Sequence, residues 1–342
     1  MAFGVYLLPV VACLLLHFGF DYHGEWYAYL WLMLFGEATA AGAHILFYRH
    51  HAYFTEYLGS IVKSIHYEED WVELVETTET RTDSNGRSYQ VKSIKEKYHP
   101  EKYYFYTTLD TKFKCDYYFY SYVENTWQLF SHIDSWTGSS IKGGRRYGKS
   151  YRFKDFSPAE EQKIENWVPV TEAHKYKNKI RCSNSILKYE KIDKSRAAEI
   201  GLVDYPEIID YDAACIISRD RTVPPKIDDY FRRYNARIAP ESEMRLYIIL
   251  FDANRGIGIA EQQRNYWQGG NKNEFVLCIG LDEGNHVEWA HAFSWADIQQ
   301  KEVETAQWLM EQGSLNWEEL FNYLSTQLSD WKRKEFSDFN YH

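Results

Sequence analysis

The chain begins with two apolar stretches, MAFGVYLLPVVACLLLHFGF (residues 1–20) and WYAYLWLMLFGEATAAGAHILFY (residues 26–48). The first contains no Asp, Glu, Lys or Arg, and the second contains one acid, Glu37, and one histidine, His44. A bilayer core about 30 Å thick is crossed by roughly 20 apolar residues in a helix. Because only a short polar segment separates the stretches, they predict a two-helix transmembrane hairpin over residues 1–48.

The charges around the hairpin predict its orientation. The loop between the stretches holds Asp21 and Glu25, whereas Arg49 and Lys63 follow the second stretch. Basic residues flank membrane helices on the cytoplasmic side. The sequence therefore predicts a two-pass protein of the inner (cytoplasmic) membrane, in contact with membrane lipid, with both termini and the large remainder of the chain in the cytoplasm.

One face of the second stretch carries small and ionisable residues. Gly36 and Ala40 are four residues apart, a spacing that allows helix backbones to touch. Glu37 and His44 are seven apart and share a face, and an acid in hydrocarbon usually faces protein or water. This face is either the proton-sensitive lining of an oligomeric channel or a packing contact with the first helix. Both interpretations predict a homo-oligomer or a membrane-protein partner.

Composition excludes several classes of protein. The chain has 39 basic and 49 acidic residues, a net charge of -10, which argues against nucleic-acid binding because that depends on many Lys and Arg contacts with phosphate. Its five cysteines form no Cys-x-x-Cys pair, so they indicate neither a disulfide framework nor a zinc site. Aromatic residues make up 18% of the chain. Strands and interfaces are rich in such residues, but the tyrosine-rich runs 103–106 and 117–122 could also bind an apolar or glycan partner.

The remainder of the chain predicts four segments. Residues 49–67 keep a helical period and predict a stalk, and residues 68–170 predict a β-rich domain. That domain is an antiparallel meander of four predicted strands, at 71–82, 87–98, 102–109 and 113–123. Residues 171–190 are polar and predict a connector. Residues 191–342 alternate strands with helices, which predicts a layered α/β/α domain, so the fold class is an α+β membrane protein.

The C-terminal domain contains the motif Tyr-Trp-Gln-Gly-Gly-Asn-Lys-Asn-Glu at 266–274, between a helix and an apolar strand. With its flanking strands, the motif resembles the core of the TPM domain family over about residues 225–312. The resemblance implies an α/β/α fold in a membrane-tethered protein, and the metal binding and phosphatase activity known for some members. Glu274 departs from the family pattern, which has Gly after the Asn. The whole chain also resembles uncharacterised two-helix membrane proteins of phages and bacteria, which implies no function.

Polar side chains near the strand ends are the candidate site. Asp252 ends a strand, the position at which α/β folds bind ligands. The predicted ligand or partner surface comprises Asp252, Trp267, Asn271, Lys272, Asn273, Glu274, His291 and Trp295. Carboxylates suit hard cations, so Asp252, Glu274 and Asp282 are the candidate ligands of Ca²⁺ or Mg²⁺. The same residue types also serve in caps and turns.

Three functions remain open from the sequence. The first is a membrane-anchored interaction or scaffold protein that self-associates through its hairpin and binds a partner with its α/β domain. The second is a cation-dependent phosphoesterase-like enzyme, and the third is a two-helix channel or membrane effector. No Ser-His-Asp or Cys-His arrangement is recognisable by local motif, so no catalytic residue is predicted and the non-enzymatic interpretation is favoured.

Overall fold

The structure is a computed structural model that describes residues 9–19, 25–68, 70–127, 133–137, 149–153, 167–177 and 189–334. The chain divides into two compact units, of which the second comprises residues 57–173 and 189–334. The first unit comprises residues 1–56, 174–188 and 335–342. The fold is α+β, with helices and sheets in the second unit.

The first unit contains a short helical segment and one long helix. Residues 9–14 are α-helical and continue into a π-helix, Leu15–Gly19. Helix α1, Trp26–Ala52, has 27 residues. A Cβ atom built on Gly36 would lie 2.7 Å from the Pro9 ring, and Ala40 is buried. Gly36 of the small-residue face therefore lies close against the preceding helix. Residues 20–24, the predicted hairpin turn, lie outside the described residues.

No helix in the described part of the chain is both long enough and apolar enough to cross a membrane. The predicted transmembrane hairpin and its two-pass location in the inner membrane are therefore wrong for these residues. The physical reason is composition, because Trp and Tyr side chains begin α1 and Glu37, Thr39 and His44 interrupt its apolar side chains. Glu37 is half-buried and His44 is exposed.

The larger sheet of the second unit is built around one long strand. Its strands are β1 Tyr53–Glu68, β4 Lys102–Thr107, β5 Lys112–Cys115, β6 Ile133–Thr137, β7 Lys149–Phe153 and β8 Pro169–Lys177. They lie in the order β5-β4-β1-β7-β6, and β8 also pairs with β1. Strand β8 occupies the start of the predicted connector 171–190, and residues 178–188 lie outside the described part.

Two predictions in this region are wrong because tertiary contacts override local periodicity. The predicted helical stalk, 49–67, is mostly strand β1, which three neighbouring strands pair with. The predicted strand 113–123 becomes helix α2, Tyr117–Trp127, after the short β5. The Asp116 carboxylate accepts the Phe119 N–H at 2.8 Å, and this cap begins α2.

The predicted hairpin at 71–98 is present but stands apart from the larger sheet. Strands β2, Trp71–Thr82, and β3, Ser88–His99, form a separate two-stranded sheet, here named the ribbon. The turn contains Gly86 at φ 79°, a conformation that favours glycine. The four predicted strands are therefore not one meander, since β4 pairs with β1.

Residues 189–334 form three layers. The strands are β9 Ile216–Ser218, β10 Arg245–Asp252, β11 Glu274–Leu281 and β12 Val287–Ser294, and the helices are α3 Lys194–Ile200, α4 Pro225–Ser242, α5 Gly258–Tyr266, α6 Gln300–Gln312 and α7 Trp317–Gln327. The sheet order is β12-β11-β10-β9, with β9, β10 and β11 parallel and β12 antiparallel. Alternate residues of β10 pack against opposite helical layers, as Leu246 and Tyr247 illustrate.

The crossover helices lie on opposite faces of this sheet. Phe231 of α4 packs with one face, and Ile259 of α5 packs with the other. The connections from β9 to β10 and from β10 to β11 run in the same direction across the sheet, but their helices lie on opposite faces. One of the two crossovers is therefore left-handed, although parallel strands are nearly always joined by right-handed crossovers.

Candidate functional site

A cavity of about 580 Å³ opens in the second unit between α2, the start of β8, a turn at residues 209–212 and α4. We name it the tyrosine–aspartate pocket. Its lining consists of aromatic, acidic and a few apolar side chains, namely Asp116, Tyr118, Phe119, Tyr122, Val168, Pro169, Ile209, Asp210, Tyr211, Asp212, Asp229 and Arg232. With every carboxyl group ionised, four Asp and one Arg give the lining a charge of 1 − 4 = −3.

A strained turn forms one wall of the pocket. Ile209 and Asp212 exchange backbone hydrogen bonds of 2.7 and 3.0 Å, and the residues between them, Asp210 and Tyr211, have φ of 49° and 68°. Positive φ at both central positions is costly for residues other than glycine. The Tyr211 ring packs 4.6 Å from the Phe119 ring, which braces the turn. Asp210 is thereby held at the exposed mouth of the pocket and Asp212 at its floor.

The floor is a buried polar cluster around Asp212. The Asp212 carboxylate accepts the Thr171 hydroxyl at 2.6 Å and the Ala213 N–H at 2.9 Å, and it pairs with Arg232 at 2.9 Å. Burial raises the pKa of Asp212, while Arg245 and Arg232 oppose that rise. Asp212 is thus occupied by the protein itself, and it positions Arg232 rather than presenting a free charge.

The charges nearer to solvent divide into paired and available groups. Arg232 lies 3.1 Å from Asp228 and 3.6 Å from Asp229; burial acts to lower the pKa of Arg232, but the surrounding carboxylates raise it overall. Asp116 and Asp210 are exposed and enter no ion pair with the described residues. These two carboxylates are therefore the negative charges that a ligand in the pocket meets.

Aromatic side chains form the rim. Tyr118 is 81% exposed and Tyr122 is 50% exposed, so both rings are accessible to a ligand. Aromatic faces attract cations, and more strongly where the cation loses water. Exposed tyrosines beside available carboxylates are a combination that binds an ammonium or guanidinium group on an apolar stem.

A buried arginine connects the floor to the central sheet. Arg245, at the start of β10, is 1% exposed. It donates to the Thr171 hydroxyl oxygen and to the Ala213 carbonyl oxygen, each at 2.8 Å. Its partner in register on β11 is Glu274. The Arg245 backbone N–H also donates to the Asn273 carbonyl oxygen at 2.7 Å, so hydrogen bonds of Arg245 connect the floor of the pocket to the motif 266–274.

The structure places that motif inside the protein. Asn271, Lys272, Asn273 and Glu274 are at most 6% exposed, as is Trp267. The Glu274 carboxylate accepts the Tyr205 hydroxyl and, at 2.7 Å, the Asn271 amide. Burial, reinforced by Glu274, raises the pKa of Tyr205 well above its ordinary value. These side chains anchor the amino ends of β10 and β11, and the placement does not support a partner surface there.

The three predicted metal ligands lie at two different edges of the sheet. Asp252 ends β10 and Asp282 follows β11, whereas Glu274 begins the eight-residue β11, roughly 23 Å away at the rise of a strand. Asp252 caps a short turn by accepting the Asn254 N–H, and Asp282 lies 2.8 Å from the His286 ring. Among the described residues, no group of His, Cys, Asp and Glu is arranged to hold a metal ion.

His291 and Trp295, the other predicted site residues, lie on and just after β12. Trp295 is 6% exposed, and its ring lies 6.3 Å from that of Tyr189. Burial lowers the pKa of His291. The structure does not bring either residue to the tyrosine–aspartate pocket, so the predicted surface is dispersed over two sheet edges and the interior.

Glu302, on α6, is expected to make the stability depend on pH. Burial raises the pKa of Glu302 to about 7, although Arg264 opposes the rise. A carboxyl group with a raised pKa in the folded state destabilises the fold as pH increases through that pKa. We expect Glu302→Gln to raise the free energy of unfolding by about 1 kcal/mol at pH 8, after allowance for solvent screening, and by much less at pH 5. Urea unfolding at both pH values measures this, with the exposed Glu311→Gln on the same helix as the control; equal effects of the two substitutions would contradict it.

The residues that line the pocket come from separate chain segments, and no sequence motif links these segments. The tyrosine-rich run 117–122 is the one signal that points to them, and it supplies three lining residues. Asp210, Asp212 and Asp229 lie in segments about 90 or more residues later in the chain. The chain matches no protein-family model, no curated protein and no solved structure, so the TPM-like resemblance stays a prediction.

Proposed function

We propose that this chain is an interaction protein that binds a basic segment of a partner protein in the tyrosine–aspartate pocket. The proposal rests on one observation. Two available carboxylates, Asp116 and Asp210, line the same 580 Å³ cavity as the exposed rings of Tyr118 and Tyr122. A Lys or Arg side chain fits both features of the pocket, because its charged group can pair with a carboxylate and its aliphatic stem can pack on the aromatic rings.

Electrostatics favours a cation over an anion. With every carboxyl group ionised the lining carries a charge of −3, and Arg232, its one cation, is already surrounded by Asp212, Asp228 and Asp229. The chain as a whole carries −10, which attracts basic partners at long range. An anionic ligand would be repelled by the carboxylates at the mouth of the pocket, and Arg232 is already paired with carboxylates of the protein.

The pocket favours a protein segment over a small free cation because exposed apolar surface lines it together with the acids. Ile209, which lines the same pocket as the exposed tyrosines, is 68% exposed. Exposed aromatic groups are typical anchors at protein interfaces. A bare ammonium ion would leave this surface wet, whereas neighbouring side chains of a peptide would cover it.

The phosphoesterase alternative has less support. Its proposed ligands Asp252 and Glu274 lie at opposite ends of strands in register. Thiol catalysis is also disfavoured at the cysteines that are described in this unit, since burial raises the pKa of Cys115 to about 12 and moves the pKa values of Cys215 and Cys278 upward. Thiolates, not thiols, are the nucleophiles.

Calorimetric titration of the full chain tests the proposal. The probes are a blocked hexapeptide of Gly, Lys and Arg and the matched peptide with Glu in place of the basic residues. We expect binding of the basic peptide alone, and a loss of at least about tenfold in affinity in the double variant Asp116→Asn, Asp210→Asn, because two charge-assisted contacts are removed. Asn retains the capping ability of Asp116, so α2 is preserved.

Two further variants separate charge from aromatic surface. Tyr118→Ala is expected to weaken binding about threefold or more through loss of a cation–π contact, without unfolding because the ring is 81% exposed. Asp297→Asn removes an exposed carboxylate that does not line the pocket and should leave affinity unchanged. Equal affinity for both peptides, or indifference to the Asp116 and Asp210 changes, would refute the proposal.

A further inference from the structure

The ribbon is a two-stranded sheet whose outer edges pair with no strand of the described residues. Its strands are in register without a bulge from Trp71↔His99 to Thr82↔Ser88, a length of roughly 40 Å. In the described part of the chain, no third strand pairs with β2 or β3. An isolated two-stranded sheet is marginally stable in water, and an unpaired edge is a template for pairing with another chain.

The two edges carry opposite charge. Strand β2 contains Glu73, Glu76, Glu79 and Arg81, which sum to 1 − 3 = −2. Strand β3 contains Lys92, Lys95, Glu96 and Lys97, which sum to 3 − 1 = +2 with His99 neutral. Two β2 edges would repel each other, and so would two β3 edges, because like charges opposite each other destabilise a sheet. A β2 edge beside a β3 edge places opposite charges side by side.

One face of the ribbon also exposes apolar surface. Ile94 is 66% exposed and Tyr98 is 62% exposed. They are four residues apart on β3, so they point to the same side of the sheet. A second ribbon added at the edge would contact and partly cover this surface.

We propose that the ribbon pairs with the ribbon of a second copy of this chain, with the β2 edge of one copy against the β3 edge of the other. The pairing is heterologous, so each pair leaves one β2 edge and one β3 edge free for further copies. Association therefore continues beyond a dimer or closes into a ring. This inference does not rest on the proposed function of the pocket.

Sedimentation velocity of the full chain at increasing concentration tests the pairing by charge reversal. One variant reverses β2 (Glu73→Lys, Glu76→Lys, Glu79→Lys) and another reverses β3 (Lys92→Glu, Lys95→Glu, Lys97→Glu). Wild type should associate, and association should weaken with added salt. Each variant alone should associate more than about tenfold more weakly, since several cross-strand pairs become repulsive. An equimolar mixture of the two should regain association.

A chain with both reversals keeps the ribbon foldable. Within the ribbon, Glu79 lies 2.7 Å from Lys95 and Glu73 lies 3.7 Å from Lys97, so a single reversal also opposes its own hairpin. The doubly reversed chain restores these pairs with exchanged signs and should associate like wild type. A wild type that stays monomeric to about 200 µM would overturn the proposal, as would association that survives both single reversals or a mixture that regains none.

Discussion

Replacing Arg245 by methionine is expected to lower the free energy of unfolding by about 3–5 kcal/mol, the range for removing one partner of a buried charge network. Methionine retains much of the side-chain volume, so the loss is electrostatic rather than a cavity effect. The change leaves the Thr171 hydroxyl and the Ala213 carbonyl without their guanidinium donor. It also removes one of the two cations that counter the burial of Asp212.

Urea unfolding followed by tryptophan fluorescence measures the loss. The control is Arg264→Met, because Arg264 is partly exposed and its ion pair with Glu261 spans 3.6 Å; exposed pairs contribute less than about 1 kcal/mol. Burial already raises the pKa of Asp212, and loss of Arg245 raises it further. The loss should therefore be smaller at pH 5 than at pH 7.5, because the penalty of a raised carboxyl pKa grows as pH rises from the ordinary pKa of Asp towards the raised one. A loss below about 1 kcal/mol at pH 7.5 would contradict the prediction.

Replacing Gly59 by alanine is expected to cost about 3 kcal/mol or to prevent folding. A Cβ atom at this position of β1 would lie 2.6 Å from the carbonyl carbon and oxygen of Asn235 and 2.7 Å from the Ala236 nitrogen. These are backbone atoms of α4, so no side chain can rotate away and β1 must move as a whole. Overpacking of a core typically costs 1–3 kcal/mol, and rigid neighbours place the cost at the upper end.

Thermal unfolding of matched glycine variants tests this prediction. Gly258→Ala at the start of α5 is the control, because no atom lies within 4 Å of its added Cβ and alanine favours the helix. It should leave the melting temperature unchanged or raise it slightly. If Gly59→Ala melts within about 2 °C of wild type, β1 and α4 are not in the close contact that the structure shows.

Both substitutions act on the junction between the larger sheet and the α/β layers within the second unit. Thr171 of β8 and Arg245 of β10 meet there, and the pocket takes its walls from both sides of the same junction. A weakened junction should also loosen the pocket. Peptide affinity is therefore expected to fall in Arg245→Met, although Arg245 does not line the cavity.

The sequence by itself predicts the elements whose chemistry is local. Strands β10 and β11 follow from continuous apolar runs, and every residue of β11 is buried because helices cover both faces of a parallel sheet. Helix α3 follows from its caps, with Asp193 accepting the Arg196 N–H and Gly201 in the left-handed conformation. The ribbon follows from the Asn-Gly turn.

Tertiary structure alone decides the elements whose local signals are ambiguous and the site itself. Strand β1 keeps a helical period in sequence, but its pairing with three strands makes it extended. The first 48 residues are apolar enough in sequence to predict a membrane hairpin, yet no helix among the described residues is long and apolar enough to cross a membrane. Asp116, Asp210 and Asp229 belong to separate segments, and only folding brings them to one cavity. Caps, turns and apolar runs act over a few residues and can be read in order, whereas a pocket depends on contacts across about a hundred residues, which no local pattern specifies.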